Sequence, residues 1–196
     1  GFNSEDAGHH IHMSRNAFSS LHLIKIMKMV YEFPKFTMLV SERTISQQNN
    51  WASLRLRNIE DVVKGINRAN NYAIENGYQV NNRYPKSLQR CTRAYNIGHR
   101  GGINLQNKDT VEFRLFKSNL TKTKVYKNLE YIKALIGYTK HTGIKDLSIS
   151  KFTGFVKSNS KEYPYLNKHL KALVKNDKYA LINALNNPTQ RPEGLR

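Results

Sequence analysis

The stretch Thr110-Val111-Glu112-Phe113-Arg114-Leu115-Phe116, preceded by Ile103-Asn104-Leu105-Gln106 and the turn-prone Asn107-Lys108-Asp109, decides the reading of the fold. Two apolar-rich runs joined by three polar residues have the length and composition of a β-hairpin. Successive side chains of a strand point to opposite faces. The alternation therefore predicts Thr110, Glu112, Arg114 and Phe116 on one face and Val111, Phe113 and Leu115 on the other. A carboxylate and a guanidinium then share a face. Such a pair suits a plain ion pair within a sheet. It equally suits phosphoryl or acyl-phosphate chemistry, in which a divalent metal and an arginine share developing negative charge.

A second alternating run lies at the start of the chain, Gly8-His9-His10-Ile11-His12-Met13-Ser14. It predicts a short strand with His10, His12 and Ser14 on one face and His9 opposite. Two imidazoles at i, i+2 stand ~6–7 Å apart, close enough to share a metal or to hold a metal and a phosphate side by side. Partly exposed strand histidines without any ligand fit the same pattern. Ser14 or Asn16 is the expected cap of a helix carrying Phe18, Leu21, Ile24, Met27 or Met29, and Tyr31, which Pro34 stops. Phe36 to Val40 is apolar but too short to assign.

Further helices are expected from Asn58 to Asn76, with Gly77 at the C′ position, and from Leu120 to His141, with Val125, Leu129, Ile132, Leu135 and Ile136 as the apolar stripe. Two shorter ones are expected near Ser148 to Lys157 and Pro164 to Leu185. From Asn186 onward, Pro188 and Pro192 predict a frayed tail. Thr121 to Lys178 contains thirteen lysines, no arginine and four acids. That is a diffuse positive surface, either merely solvated or suited to non-specific phosphate attraction, since arginine dominates bidentate recognition.

The 196-residue chain carries 32 Lys and Arg against 14 Asp and Glu, a formal charge of +18. A field of that size gathers anions: nucleic acid, nucleotide phosphates, an anionic membrane surface or an acidic polymer. The lone Cys91 excludes an intrachain disulfide and a cysteine-based zinc site, and it fits a reducing compartment. No run approaches the ~18–20 apolar residues that span a bilayer, so the chain is expected to be soluble, without a membrane partner. It opens Gly1-Phe2-Asn3 with neither Met nor the basic and apolar regions of a signal peptide, and is expected to be a fragment of a longer polypeptide. High Lys, Asn, Ile and Tyr usage points to an AT-rich genome, that of a low-GC bacterium or its phage, and to the cytoplasm of such a bacterium or of a phage-infected cell.

Together these segments resemble a known family. The Gly-x-His-x-His-x-Ser strand at Gly8 to Ser14 is similar to that of glutamine synthetase and glutamate–cysteine ligase relatives. Ile103 to Asn107 followed by Thr110 to Phe116 resembles the paired "NL … TVEFRLF" strands of the amidoligase family within that group, and the order of elements agrees over roughly residues 7 to 141. The resemblance implies an α+β fold: an open antiparallel sheet packed with helices, over residues 1–143. A helical, lysine-rich appendage over 144–186 and the tail at 187–196 would follow. It also implies ATP, two or three divalent metals (Mg²⁺ or Mn²⁺), and a substrate carboxylate, on a peptide among other carriers, that is phosphorylated before an amine attacks it. Carried over by position, His10 and Glu112 would be metal ligands, His12 and Ser14 would face the nucleotide, and Arg114 would bind the γ-phosphate or acyl-phosphate oxygens. Arg93 and Arg100 resemble the group's phosphate-contacting arginines.

The family's principal acidic metal ligands stand in a Glu-x-Glu strand upstream of the histidine strand. Here only Glu5 and Asp6 precede His10, and up to Gly77 only Glu32, Glu42, Glu60, Asp61 and Glu75 are added. Hard divalent cations need several carboxylate oxygens. The chain is therefore expected to be the C-terminal half of such a domain, incomplete as a ligase. Two other readings accommodate the same residues. One is a non-catalytic basic module derived from the ligase fold, holding nucleic acid or protein. The other is a rolling-circle nuclease in which the histidine strand holds a metal and Tyr126, Tyr131 or Tyr138 attacks DNA.

Overall fold

The alternation at both ends of the site is realised as strands in one small sheet. In the computed structural model, which describes residues 7–54, 75, 100–107, 109–119 and 121–176, strand β1 (Gly8–Ser14) pairs antiparallel with β3 (Thr110–Lys117), and β3 with the two-residue β2 (Ile103–Asn104). The order is β1-β3-β2, so β3 is central. The helix expected over Asn58 to Asn76 (Glu75 apart), Arg93, Cys91 and everything after Asn176 lie outside the described residues.

The pairing of β1 with β3 carries one irregularity. Gly8 and His9 face Lys117 and Phe116, but Ile11 faces Phe113, so two β3 residues, Arg114 and Leu115, stand opposite His10. This is a β-bulge, and it resets the alternation beyond it. Phe116 therefore does not share a face with Glu112 and Arg114 as the period of two predicts. It turns with His9 to the opposite side, where its ring meets Tyr131 edge-on at 5.9 Å.

Helix α1 (Ser20–Tyr31) starts later than expected. The cap is Ser19, whose Oγ accepts from His22 N at 3.2 Å, rather than Ser14 or Asn16. The reason lies in Arg15. Its amide donates to Asp109 O at 2.9 Å and its guanidinium to Leu105 O at 2.5 Å. The chain leaving β1 is thus tied to the β2–β3 connection through a 3₁₀ turn (Arg15–Ala17), and only beyond it is free to coil. Pro34 stops α1 and opens α2 (Pro34–Ser41) at its first turn, where a missing N–H costs nothing. The unassigned run from Phe36 to Val40 is thereby helical. Helix α3 (Ile45–Trp51) follows.

The long helix α4 (Lys122–His141) packs on the side of the sheet that carries His9 and Phe116. Its buried face is wider than the predicted stripe. It includes Lys127, Asn128, Tyr131, Ile132, Ala134, Leu135, Tyr138 and Thr139, while Leu129 is 43% exposed. Two neighbours explain the rotation, α1 on one flank and the pair α5 (Ile149–Ser158) and α6 (Pro164–Asn176) on the other. Phe152, Val156, Leu166 and Leu170 belong to the same hydrophobic core as Ile11, Val30, Phe113 and Phe116. The segment expected as an appendage, as far as Asn176, is continuous with that core. Its apolar residues at helical spacing have a partner to bury against. Among the described residues no helix is long and apolar enough to cross a membrane.

Candidate functional site

The face of the sheet away from α4 gathers His10, His12, Glu112 and Arg114. Glu112 stands on the central strand, opposite His12 of β1 and Asn104 of β2. Its Oε1 accepts from Arg114 Nη1 at 2.9 Å, lies 2.9 Å from His10 Nδ1 and 3.8 Å from His12 Nε2. Its Oε2 accepts from Asn104 Nδ2 at 2.8 Å. The Asn104 Oδ1 in turn accepts from Gln106 N at 2.9 Å, which fixes the amide and aims its donor at the carboxylate. That is the physical reason for asparagine three residues before the turn.

Burial is graded across the cluster. The Glu112 and Arg114 side chains are about nine-tenths buried, His10 is 31% exposed and His12 49%. Burial alone would raise the Glu112 carboxyl, but the Asn104 hydrogen bond and the charges of Arg114 and the two histidines outweigh it and hold the group below its ordinary value. His10 is pushed the other way for an imidazole. Burial first and the Arg114 charge second lower it, against the pull of Glu112. A neutral His10 donating Nδ1–H to Glu112 leaves Nε2 as its free acceptor.

Arg43, which sequence reasoning missed, stands at the Gly8 end of this face, beside His10. Its Nε donates to Leu115 O at 3.0 Å and its Nη2 to Arg114 O at 3.4 Å, and the residue is only 5% exposed. Burial and the neighbouring Arg114 lower its guanidinium to about 10, so it remains a cation at neutral pH. Arg114 thus stands beside the carboxylate, and Arg43 beside Arg114 and His10. Among the described residues, Arg43 Nη1 and Arg114 Nε have no hydrogen-bond partner. No pattern in the sequence announces Arg43, which follows a left-handed residue, Glu42 (φ 58°), at the end of α2.

The remaining candidates are placed less tightly. Ser14 faces Thr110 at the far end of β1 and is exposed, with no side-chain capping bond. Arg100 is exposed in the turn before β2, where its carbonyl accepts from Ser53 N at 2.8 Å. Arg93 falls outside the described residues. Of the tyrosines considered as nucleophiles, Tyr131 and Tyr138 are buried in the core, and Tyr126, 45% exposed, stands on α4, the helix covering the opposite face of the sheet.

As a metal centre the cluster is incomplete. Among the described residues no group of three or more His, Cys, Asp or Glu side chains is placed to hold an ion. The Glu112 oxygens already face two donors and an amide, and both guanidiniums repel a cation entering there. Neutral His10 and Glu112 offer one nitrogen and one carboxylate, whereas Mg²⁺ takes six donors, mostly oxygen. No protein-family model, curated protein or solved structure matches this chain.

Proposed function

We propose that this chain carries the phosphate-binding side of an ATP-dependent carboxylate–amine ligase of the amidoligase type, a member of the glutamine-synthetase-like group working in the cytoplasm. In that chemistry a substrate carboxylate takes the γ-phosphoryl group of ATP and releases ADP. An amine then displaces phosphate, leaving an amide and a proton. The observation that carries the reading is the Glu112–Arg114 pair, held by Asn104 and His10 on one face with a guanidinium in excess of its carboxylate. Arg114 would meet the transferred phosphoryl group, where charge develops. His12 and Ser14, on the open side of the same face, would border the nucleotide. Mg²⁺ or Mn²⁺, which would neutralise the ATP phosphates, would be held through His10 and Glu112 only with added oxygens from the phosphates and from carboxylates outside the described residues.

The test is a titration of the chain, and of any longer polypeptide containing it, with Mg·ATP by calorimetry. Arg114→Ala, which removes a charge-assisted hydrogen bond, and Glu112→Gln, which removes the carboxylate proposed to hold the metal, should each weaken Mg·ATP binding ~10- to 100-fold. Unchanged affinity in both variants overturns the reading. The shortage of metal donors favours a second reading, a metal-independent anion-binding module. It would show ATP binding that chelators do not affect, and no ADP release in the longer polypeptide.

A further inference from the structure

A bulge beside a functional side chain raises the question of what holds it open. An extra residue disrupts the ladder locally, and carbonyls at such a break are costly if buried without a donor. On β3 those carbonyls belong to Arg114 and Leu115, the two residues opposite His10. Both are taken by one side chain. Arg43 reaches Leu115 O through Nε and Arg114 O through Nη2, a two-pronged contact that a planar guanidinium makes and an ammonium does not.

The surroundings are shaped for that reach. A Cβ on Gly8 would overlap Arg43 Nη2, so glycine at the start of the histidine strand leaves the guanidinium its space. On the other side, Glu42 turns the chain through its left-handed conformation. It is anchored by Lys124 Nζ at 2.9 Å and Lys127 Nζ at 3.1 Å, while Lys127 Nζ also donates to Val40 O at 2.5 Å. The residue after Glu42 is thereby aimed at β3. The backbone of Arg114 is fixed from the other edge too, since its amide donates to Gly102 O at 2.9 Å.

We infer that Arg43 is a positioning residue for the Glu112 face: its guanidinium clasps the bulge carbonyls of Arg114 and Leu115 and so sets the backbone from which Arg114 reaches Glu112. It touches no ligand itself. Without the clasp, β3 relaxes toward regular pairing, and the alternation beyond the bulge, which now sends Phe116 into the core, comes into conflict with the direction of Arg114. The functional weight of the inference rests on the proposed anion-binding role of that face, whereas the clasp does not.

Two measurements separate these layers. The first is amide hydrogen exchange on the whole chain and on Arg43→Gln and Arg43→Lys. Arg43→Gln should speed exchange of the amides from Arg114 to Lys117 by ~10- to 100-fold, with Val111 to Phe113 and α4 unchanged, as expected for loss of a local charged contact. Arg43→Lys keeps the charge but loses the fork, and should recover only part of the protection. If Arg43→Gln fails to fold, Arg43→Lys carries the same comparison against the wild-type chain. Unchanged protection in either variant, or a uniform loss over the whole chain, overturns the clasp. The second is Mg·ATP affinity, expected to fall about tenfold in Arg43→Gln. Full affinity in a chain whose bulge has loosened overturns the positioning role. A wild-type chain that binds no Mg·ATP removes the ligase reading and leaves the clasp to be decided by exchange.

Discussion

Replacing Glu112 by Gln removes one charge while keeping the shape of the side chain and an acceptor for Asn104. It leaves Arg114, 9% exposed, with no carboxylate beside it. Breaking a buried ion pair from one side costs about 3–5 kcal/mol, because the surviving charge stays desolvated. The retained Asn104 contact and the partial exposure of His10 put this site at the lower end, about 3 kcal/mol. For a chain of this length each kcal/mol moves the midpoint by roughly 2–4 °C, so Tm should fall by about 6–12 °C. Arg114→Gln and the double variant complete the cycle, and urea unfolding followed by circular dichroism reads it. The Glu112–Arg114 coupling should come to about 2 kcal/mol, since the residues share one hydrogen bond and one buried environment. Without divalent metal, inorganic phosphate should stabilise Glu112→Gln more than the wild type, by mass action on the uncompensated Arg114 guanidinium. A coupling below about 0.5 kcal/mol would show that Arg114 does not face Glu112 in solution and would remove the basis of the site.

Three further outcomes follow from the same geometry. Tyr31→Phe deletes only the hydroxyl that accepts from Ile103 N at 3.0 Å, and the orphaned buried amide should cost about 1–3 kcal/mol in urea unfolding; a neutral substitution refutes that contact. Burial, against the hydrogen bond to Ile136 O, holds His22 below its ordinary 6.5. The unfolded chain then binds the proton more readily, so the contribution of His22 to stability is complete above about pH 6.5 and is lost as pH falls toward the lowered folded value. Tm should drop from pH 7 to pH 5, and His22→Gln should flatten part of that slope; an unchanged slope refutes it. Single-stranded DNA should bind the lysine-rich helices weakly, without sequence preference, and with affinity falling steeply from low to moderate salt, measured by fluorescence anisotropy; a tight, salt-insensitive preference for one sequence would contradict a diffuse lysine surface.

The part of the site legible in the sequence is the part governed by local periodicity. Alternation alone places His10 and His12 on one face of β1 and Glu112 and Arg114 on one face of β3, because that rule needs no knowledge of neighbours. Phe116 was misplaced because a bulge arises from the pairing of two strands, and the sequence of either strand alone does not record it. Ser19 displaced Ser14 and Asn16 as the cap of α1 because Arg15 is tied to residues about 90 positions away. Leu129 lost its place on the buried face of α4 to Lys127 and Asn128. Lys127 donates to Val40 O and Glu42, and the Asn128 amide nitrogen meets His9, partners that no helical-wheel argument supplies. Arg43 was invisible for the same reason: a buried arginine is recognised by the carbonyls it meets.

These long-range contacts also separate two kinds of positive charge on this molecule. The lysines of α4, α5 and α6 are mostly exposed, and apart from the buried Lys127 those with partners, such as Lys133 with Glu162 and Lys151 with Asp146, form solvent-screened pairs worth little. They raise the local concentration of anions and the rate of encounter, but their mobile side chains do not select among phosphates. The arginines of the sheet face are buried, oriented by backbone carbonyls and a carboxylate, and insufficiently neutralised. On the proposed reading, an anion reaching Arg114 exchanges its hydration for fixed donors, so there geometry decides what is bound. On that reading, selectivity among phosphates resides at Glu112, Arg114 and His10, and neutralising surface lysines should slow association with a phosphate ligand far more than it speeds dissociation.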